Sequence, residues 1–190
     1  AIWLTPIVDN PDEAFTGGDA VVWKGMFQDK GKTGYHGYWG SNFYRVDEHL
    51  PSKDLDFGTL NHELSERGIH TVLDIVGNHG SPAFGMPVAQ PKYGQIFDAS
   101  GTLVADQQNL PADRLDPANN PLHRFYNNKT EMVQLSDLNE NNPAVMDYLV
   151  GAYLQWIEQG ADAFRIDTIK HMPLPFWKEF SRRIRENKPD

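Results

Sequence analysis

The residues that could do chemistry lie at the ends of two short apolar segments. One segment, Ala163 to Ile166, carries Arg165 and is followed by Asp167, Lys170 and His171. Arg165 and Asp167 are two residues apart, so on a strand they share one face. There the guanidinium can keep the carboxylate ionised and orient it, as a nucleophile requires. A structural ion pair at a strand end explains the pair equally well, so the other motifs must decide between the two interpretations.

The second segment, Ile69 to Val76, contains Asp74 and is followed by Asn78 and His79. Alone, Asn78 could be a turn former and His79 an ordinary hydrogen-bonding residue. Oxygen atoms of Asn78 and Asp137, together with backbone carbonyls, would suit a hard cation such as calcium. Zinc fits less well, because the chain has no cysteine and no paired-histidine spacing.

A third candidate segment is the aromatic run from Tyr35 to Trp39, which includes His36, Gly37 and Tyr38. Flat rings beside a histidine suit the apolar face and the hydroxyl rim of a sugar. The alternative is a small cluster that packs a loop onto the fold. We favour packing for Trp39 and ligand contact for Tyr38.

Three short apolar runs predict strands: Ala1 to Val8, Ile69 to Val76 and Ala163 to Ile166. Helical patterns alternate with them, which favours a parallel sheet with right-handed crossovers. Caps and apolar spacing indicate these helices: Asp56 with Leu60 and Leu64 before Gly68; Asn142 and Pro143 with Val145, Leu149, Ala152 and Trp156; and Pro175 with Phe176, Phe180 and Ile184.

Two long segments follow strands, from Asp9 to about Leu55 and from Gly77 to about Asn141. Both leave the sheet at its carboxyl edge, where α/β folds place their chemistry. Connections of this length are uncommon unless they are functional or disordered. Three strands cannot close a barrel, so we expect the sheet to be part of a larger one.

Composition excludes several classes of partner. The 190 residues carry a formal charge of −9, with acidic and basic residues spread along the chain, which argues against nucleic acid and anionic membranes. No apolar run is long enough to span a bilayer, and we find no signal peptide. Without cysteine there are no disulfides or thiol nucleophiles, and the redox compartment stays undetermined.

Together the motifs resemble glycoside hydrolase family 13, the α-amylase family, and most closely its cyclodextrin glucanotransferase-like branch. Four motifs occur in the family's order: Tyr35 to Trp39, Asp74-x-x-x-Asn78-His79, Leu135 to Asn139, and Arg165-x-Asp167-x-x-Lys170-His171. The resemblance implies an α/β fold, a partial TIM (β/α)8 barrel with a loop-rich domain B inserted after the third barrel strand. The barrel would then comprise residues 1–76 and 142–190, and domain B residues 77–141.

The resemblance also implies a role for each motif residue. Asp167 would be the nucleophile, and Arg165 would fix its charge. His79, Tyr38, His36 and Trp39 would bind the sugar on one side of the cleaved bond, and Lys170 and His171 would meet it on the leaving-group side. Asp74 would support its motif. A structural Ca²⁺ would be bound by Asn78, Asp137 and the backbone carbonyl of His171, with a further carbonyl near Asn128.

The implied reaction is hydrolysis of α-1,4-glucosidic bonds in starch and malto-oligosaccharides, by double displacement with retention. Two alternatives remain open: a cyclodextrin glucanotransferase or other α-1,4-glucan transglycosylase, and a catalytically silent carbohydrate-binding homologue. A metal-dependent hydrolase using His36, His79 and His171 is disfavoured by their spacing. Where cyclodextrin-forming members have a central aromatic residue this chain has Val133, so we expect mainly hydrolysis or transfer to linear acceptors.

The family's general acid is a glutamate after the fifth strand, and a His-Asp pair follows the seventh. No glutamate in this sequence matches that motif, so we expect the 190-residue piece to be inactive alone. An α-glucan is the expected partner, and a monomeric, extracellular or periplasmic parent enzyme is expected from the resemblance.

Overall fold

The computed structural model describes residues 1–17, 30–129, 132 and 134–189. Its strands are β1 (Ile2–Leu4), β2 (Val8–Asp9), β3 (Asn42–Val46), β4 (Thr71–Val76), β5 (His79–Pro82), β6 (Gln95–Phe97), β7 (Leu103–Asp106), β8 (Leu135–Asp137) and β9 (Ala163–Asp167). Its α-helices are α1 (Phe57–Glu66), α2 (Pro143–Glu158) and α3 (Leu174–Asn187), and short 3-10 helices lie at Ala112–Arg114, Pro121–His123 and Ile169–His171.

The central sheet is parallel, in the order β1, β4, β9, which confirms the predicted arrangement. Its register aligns Asp74 with Arg165 and Val76 with Asp167. Because side chains alternate along a strand, Asp74, Arg165 and Asp167 all project from the same face of the sheet. The opposite face presents apolar side chains to the helices.

The predicted first strand, Ala1 to Val8, is wrong in extent. Only Ile2–Leu4 belongs to the parallel sheet, while Val8–Asp9 forms an antiparallel ladder with β3. Pro6 lies between them and has no backbone N–H, so it cannot continue the ladder. The second predicted strand begins two residues later than expected, at Thr71.

The helices follow their caps. The Asp56 side chain accepts a hydrogen bond from the Thr59 N–H at 2.7 Å and starts α1. The inward orientation predicted for Leu60 and Leu64 is only half right. Both are half-buried, and the buried residues of α1 are Phe57 and Asn61. Leu60 instead lines an apolar cavity of about 300 Å³.

The second and third helices match their patterns. Asn142 caps α2, and the predicted apolar positions Val145, Leu149, Ala152 and Trp156 are all buried. Helix α3 buries Phe176 and Phe180 and carries Ile184 half-buried beside them. Among the described residues, none of the helices combines the length and the apolar character needed to cross a membrane.

The two long connections contain short strands that the sequence analysis did not predict. The first contributes β2 and β3, and the second contains two antiparallel ladders, β5 with β8 and β6 with β7. Ile96, Tyr126 and Leu138 of the second connection belong to the same hydrophobic core as Leu73 and Leu149. Residues 77–141 therefore pack on the central sheet, and their status as a separate domain B stays a prediction.

Candidate active site

A chain of charged hydrogen bonds crosses the carboxyl end of β4 and β9. Arg165 Nη1 donates to Asp74 Oδ1 at 3.0 Å, to Asp74 Oδ2 at 2.9 Å and to Asp167 Oδ1 at 2.9 Å. The Asp74 side chain is fully buried, whereas the side chains of Asp167 and Arg165 are 21% and 43% exposed. The hydrogen bond to Asp74 raises the pKa of Arg165, which is a permanent cation. The sequence-predicted pair is therefore brought together, with Asp74 as its buried anchor.

Tyr38 joins this chain from the first long connection. Its hydroxyl donates to Asp74 Oδ2 at 2.7 Å. Burial and this hydrogen bond raise the pKa of Tyr38 to about 12, so the phenol keeps its proton near neutral pH. The ring is only half-buried, so it lies beside the carboxylates with part of its surface open. Such a ring can contact a ligand while its hydroxyl stays fixed.

Trp3 is a site residue that the sequence interpretation missed. The Arg165 guanidinium carbon lies 5.5 Å from the centroid of its ring, within cation–π range. Trp3 is 62% exposed on β1. Its register with Val72 puts it on the same sheet face as Asp74 and Arg165. The alternation of side chains along β1 would have placed Trp3 on the face of Asp74 and Arg165, but only if the pairing of β1 with β4 had been known.

Three histidines gather beside the charged chain. His79 is 2% exposed and shares a hydrogen bond with the backbone of Tyr38. The pKa of His79 is lowered to about 4, mainly by burial and to a smaller extent by the nearby imidazoles of His171 and His36. His79 is therefore neutral near neutral pH and can exchange hydrogen bonds with an uncharged ligand. The three predicted histidines do come together in space.

In the aromatic run, the structure confirms the packing favoured for Trp39, and the ligand contact of Tyr38 stays a prediction. His36 Nδ1 accepts the Tyr38 N–H at 3.1 Å, and its ring centroid is 4.8 Å from that of Trp39. Trp39 is 5% exposed and packs with Phe15, Met86 and Tyr93 in a second hydrophobic cluster. Trp39 therefore packs in the protein interior and leaves little of its surface for the substrate contact that was also predicted. Its contact with the predicted site residues is the edge-on one with the His36 ring.

The candidate metal ligands Asn78 and Asp137 are buried oxygen donors, one between β4 and β5 and the other on β8. Asn78 and Asp137 are 1% and 5% exposed. The β5–β8 pairing aligns His79 with Asp137, and the Leu138 N–H donates to the Asn78 carbonyl at 2.8 Å. The Asn127 side-chain amide donates to Asp137 Oδ2 at 3.2 Å, which brings the 127–128 backbone near the same carboxylate. An amide oxygen, a carboxylate and carbonyls are the chemistry that calcium prefers, so this donor set fits the ion.

The remaining predicted residues lie at the edge of the site. Lys170 is exposed and His171 is half-buried, both on the 3-10 helix Ile169–His171, which Thr168 separates from β9. The His171 N–H donates to the Thr168 carbonyl at 2.9 Å. Asn128 is exposed in the second connection. Val133 lies outside the described residues, so the prediction that rests on it stays a sequence prediction.

The comparisons with known proteins decide the family. The model of the α-amylase catalytic domain matches residues 1–190. The chain belongs to the α-amylase family. The α-amylase catalytic domain is a TIM barrel, so the parallel strands β1, β4 and β9 are part of such a barrel. Enzymes of this family act on α-glucans.

Curated relatives include cyclomaltodextrin glucanotransferases. That of Klebsiella oxytoca is 31% identical over 192 residues, covering 97% of this chain and 26% of that protein. That of Thermoanaerobacterium thermosulfurigenes is 29% identical over 206 residues, covering 100% of this chain and 25% of that protein. The chain thus spans about a quarter of the length of these α-amylase family relatives.

The similar solved structures include a cyclomaltodextrin glucanotransferase and an α-amylase. CldA, described as a cyclomaltodextrin glucanotransferase with a three-domain ABC distribution, has a TM-score of 0.67 and 28% identity, covering 99% of this chain and 36% of its own. An α-amylase from Geobacillus thermoleovorans, complexed with acarbose, has a TM-score of 0.62 and 27% identity, covering 99% and 34%. The likeness therefore extends to hydrolases and to transferases of the α-amylase family.

Proposed function

We propose that these residues form part of a retaining α-glucan hydrolase that cleaves α-1,4-glucosidic bonds of starch and malto-oligosaccharides. The single observation that carries the proposal is the Asp167 carboxylate at the end of β9, held at 2.9 Å by Arg165. Arg165 is in turn held by the fully buried Asp74. The proposal includes that the parent enzyme acts in the extracellular or periplasmic space.

Asp167 is the proposed nucleophile. An ionised carboxylate oxygen attacks the anomeric carbon of the sugar, the glycosidic oxygen leaves, and water later hydrolyses the glycosyl ester. Arg165 holds one oxygen of this carboxylate by a hydrogen bond and so fixes the direction of the other, because Asp74 and Trp3 leave the guanidinium little freedom. The proposal assigns no general acid, since no glutamate in this sequence matches the family motif.

The proposed sugar contacts surround that carboxylate. The open ring surface of Tyr38 stacks on the apolar face of the sugar, while its hydroxyl stays bonded to Asp74. His79, which is neutral, and His36 hydrogen-bond hydroxyl groups of the same sugar, and Lys170 and His171 meet the sugar on the leaving-group side. Trp39 supports this surface from below by packing against His36.

Calcium binding is proposed at Asn78, Asp137 and the backbone carbonyl of His171. Asn78 lies between β4 and β5, Asp137 is on β8, and His171 ends the 3-10 helix that comes after β9, so an ion there would tie the second connection to the sheet. When bound, calcium would supply positive charge that balances the buried Asp137. The nucleophilic and sugar-binding roles proposed above belong to side chains of the protein and not to the ion.

A transglycosylase is the second candidate, favoured by the cyclomaltodextrin glucanotransferases among the relatives. Both activities use the same glycosyl intermediate and differ in whether water or a sugar hydroxyl accepts it. The nucleophile and its supports are common to both, so product analysis is needed to separate them.

The proposal is tested on the full-length enzyme with soluble starch, by proton NMR of the first products and by chromatography of later ones. Retention gives α-anomers first, and hydrolysis gives linear malto-oligosaccharides. Abundant cyclic products would favour the second candidate. Products of β configuration would overturn the retaining mechanism, and starch binding without turnover would identify the silent homologue.

A further inference from the structure

Asn10 is a buried amide that joins three separate segments of the chain. It is 2% exposed and follows β2 directly. Its Oδ1 accepts the Trp39 N–H at 2.7 Å, and its Nδ2 donates to the Val8 carbonyl. Its own N–H donates to Asp47 Oδ2 at 3.2 Å, just beyond β3. The amide thus uses both ends of its side chain and its backbone N–H to hold its surroundings.

The segment held by Asn10 lies unusually close to it. A Cβ at Gly34 would be 2.7 Å from the Asn10 Cβ, so only glycine permits this approach. Gly37, with φ +87°, lies so close to Pro6 that a Cβ would be 2.1 Å from the Pro6 carbonyl oxygen. Residues 34–40 are therefore pressed onto the ends of β1 and β2. Asn10 supplies the hydrogen bond that fixes their position there.

The fixed segment carries the aromatic contribution to the site. Tyr38 immediately precedes the Trp39 amide that Asn10 accepts. The Tyr38 hydroxyl reaches Asp74 at 2.7 Å, and Asp74 anchors Arg165. A displacement of the Trp39 amide therefore moves the Tyr38 ring relative to the Asp167 carboxylate. Errors of about 1 Å at such a position can lower a rate about 100-fold.

We propose that Asn10 is a positioning residue, which acts through residues 34–40 to hold Tyr38 over the Asp74–Arg165–Asp167 chain. Asn10 touches no reacting atom and takes no part in proton transfer. This inference rests on the proposed function, since it concerns α-glucan turnover at the same site. It adds a residue that none of the four sequence motifs contains.

The test substitutes Asn10→Leu, which keeps the side-chain size and removes both amide bonds. The control is Asn61→Leu in α1, because Asn61 is also buried, at 4% exposed, and its amide donates one bond, to the Gln159 carbonyl. In the full-length enzyme, Asn10→Leu should lower kcat/KM on malto-oligosaccharides about 10- to 100-fold. Asn61→Leu should leave kcat/KM within about twofold of the parent. Equal effects of the two substitutions would overturn the proposal.

A double-substitution cycle separates positioning from a general structural role. In a Tyr38→Leu background, the added Asn10→Leu should change kcat/KM by no more than about twofold, because the ring it positions is gone. An undiminished loss in that background would contradict action through Tyr38. Asn10→Asp keeps the acceptor for the Trp39 N–H, so it should lose less activity than Asn10→Leu.

Hydrogen exchange gives a readout that does not depend on activity. The Trp39 amide loses its acceptor in Asn10→Leu, so a peptide covering residues 34–40 should exchange faster, while Asn61→Leu leaves it unchanged. Unchanged exchange in Asn10→Leu would overturn the positioning role even if the parent has no α-glucan activity. A parent without that activity but with the exchange difference would refute the proposed function alone.

Discussion

Tyr38→Phe removes one hydroxyl from the centre of the site and leaves the ring in place. That hydroxyl donates to Asp74 Oδ2 at 2.7 Å, a short distance typical of a charge-assisted bond. The Asp74 side chain is fully buried, so no water replaces the lost donor without a rearrangement. Within the part of the chain that the structure describes, Arg165 Nη1 would then be the donor left to that carboxylate, and it is shared with Asp167.

The expected cost follows from the charge and the burial of the acceptor. A hydrogen bond to a charged group contributes about 1.5 to 3 kcal/mol, so we expect the free energy of unfolding to fall by about 2 kcal/mol. The activity should also fall, because Arg165 shifts toward Asp74 and orients Asp167 less well. Since the stacking ring remains, kcat should decrease more than KM changes.

The assay is urea unfolding of the full-length enzyme, with kinetics on malto-oligosaccharides measured alongside. Tyr35→Phe is the matched control, because Tyr35 lies in the same segment and is 86% exposed. The control should stay within about 0.5 kcal/mol of the parent. A Tyr38→Phe variant as stable and as active as the control would refute the hydrogen-bonded anchor described here.

Three further predictions concern neighbouring parts of the site. Trp3→Leu removes a cation–π contact worth about 0.5 to 1 kcal/mol, so it should lower kcat about threefold. Trp3→Phe keeps an aromatic ring and should lower kcat less. Equal kcat values for both variants and the parent would contradict the contact with Arg165. Asp137→Asn should weaken calcium binding, so calcium at about 100 times the parent's Kd should stabilise the variant about 2 kcal/mol less than the parent in thermal unfolding. Identical calcium-dependent shifts would remove Asp137 from the ion's ligands. Val133→Tyr should raise the share of cyclic products from starch, measured by chromatography; no increase would refute the inference drawn from the missing ring.

Local sequence patterns predicted the elements that depend on neighbours in the chain. The apolar positions of α2 recur at helical spacing, and Asn142 with Pro143 starts the helix as such a pair should. Arg165 and Asp167 share a face simply because they are two residues apart on a strand. In these cases the decisive spacing lies within one element.

Elements decided by distant partners were missed or misplaced. The ladder of β2 with β3 involves only two residues of β2, which no period reveals, and its partner follows more than 30 residues later. Pro6 broke the first strand although the run around it is apolar. Leu60 and Leu64 fit a helical stripe, yet how deeply they are buried depends on what packs against α1.

The supporting residues of the site were hardest to predict. Trp3 meets Arg165 only after β1 and β9 take places in one sheet. Asn10 precedes a proline and looks like a turn former, whereas its amide holds a segment nearly 30 residues away. Asp74 was expected only to support its motif, and the β4–β9 register gave it the central place.

The most direct test of the central claim is to identify the residue that carries the glycosyl intermediate. The full-length enzyme is incubated with a 5-fluoro-α-glucosyl fluoride, digested, and analysed by tandem mass spectrometry. We predict a glycosyl label on the peptide around β9, attached to Asp167. A label on any other side chain, or steady starch turnover by an Asp167→Asn variant, would contradict the account.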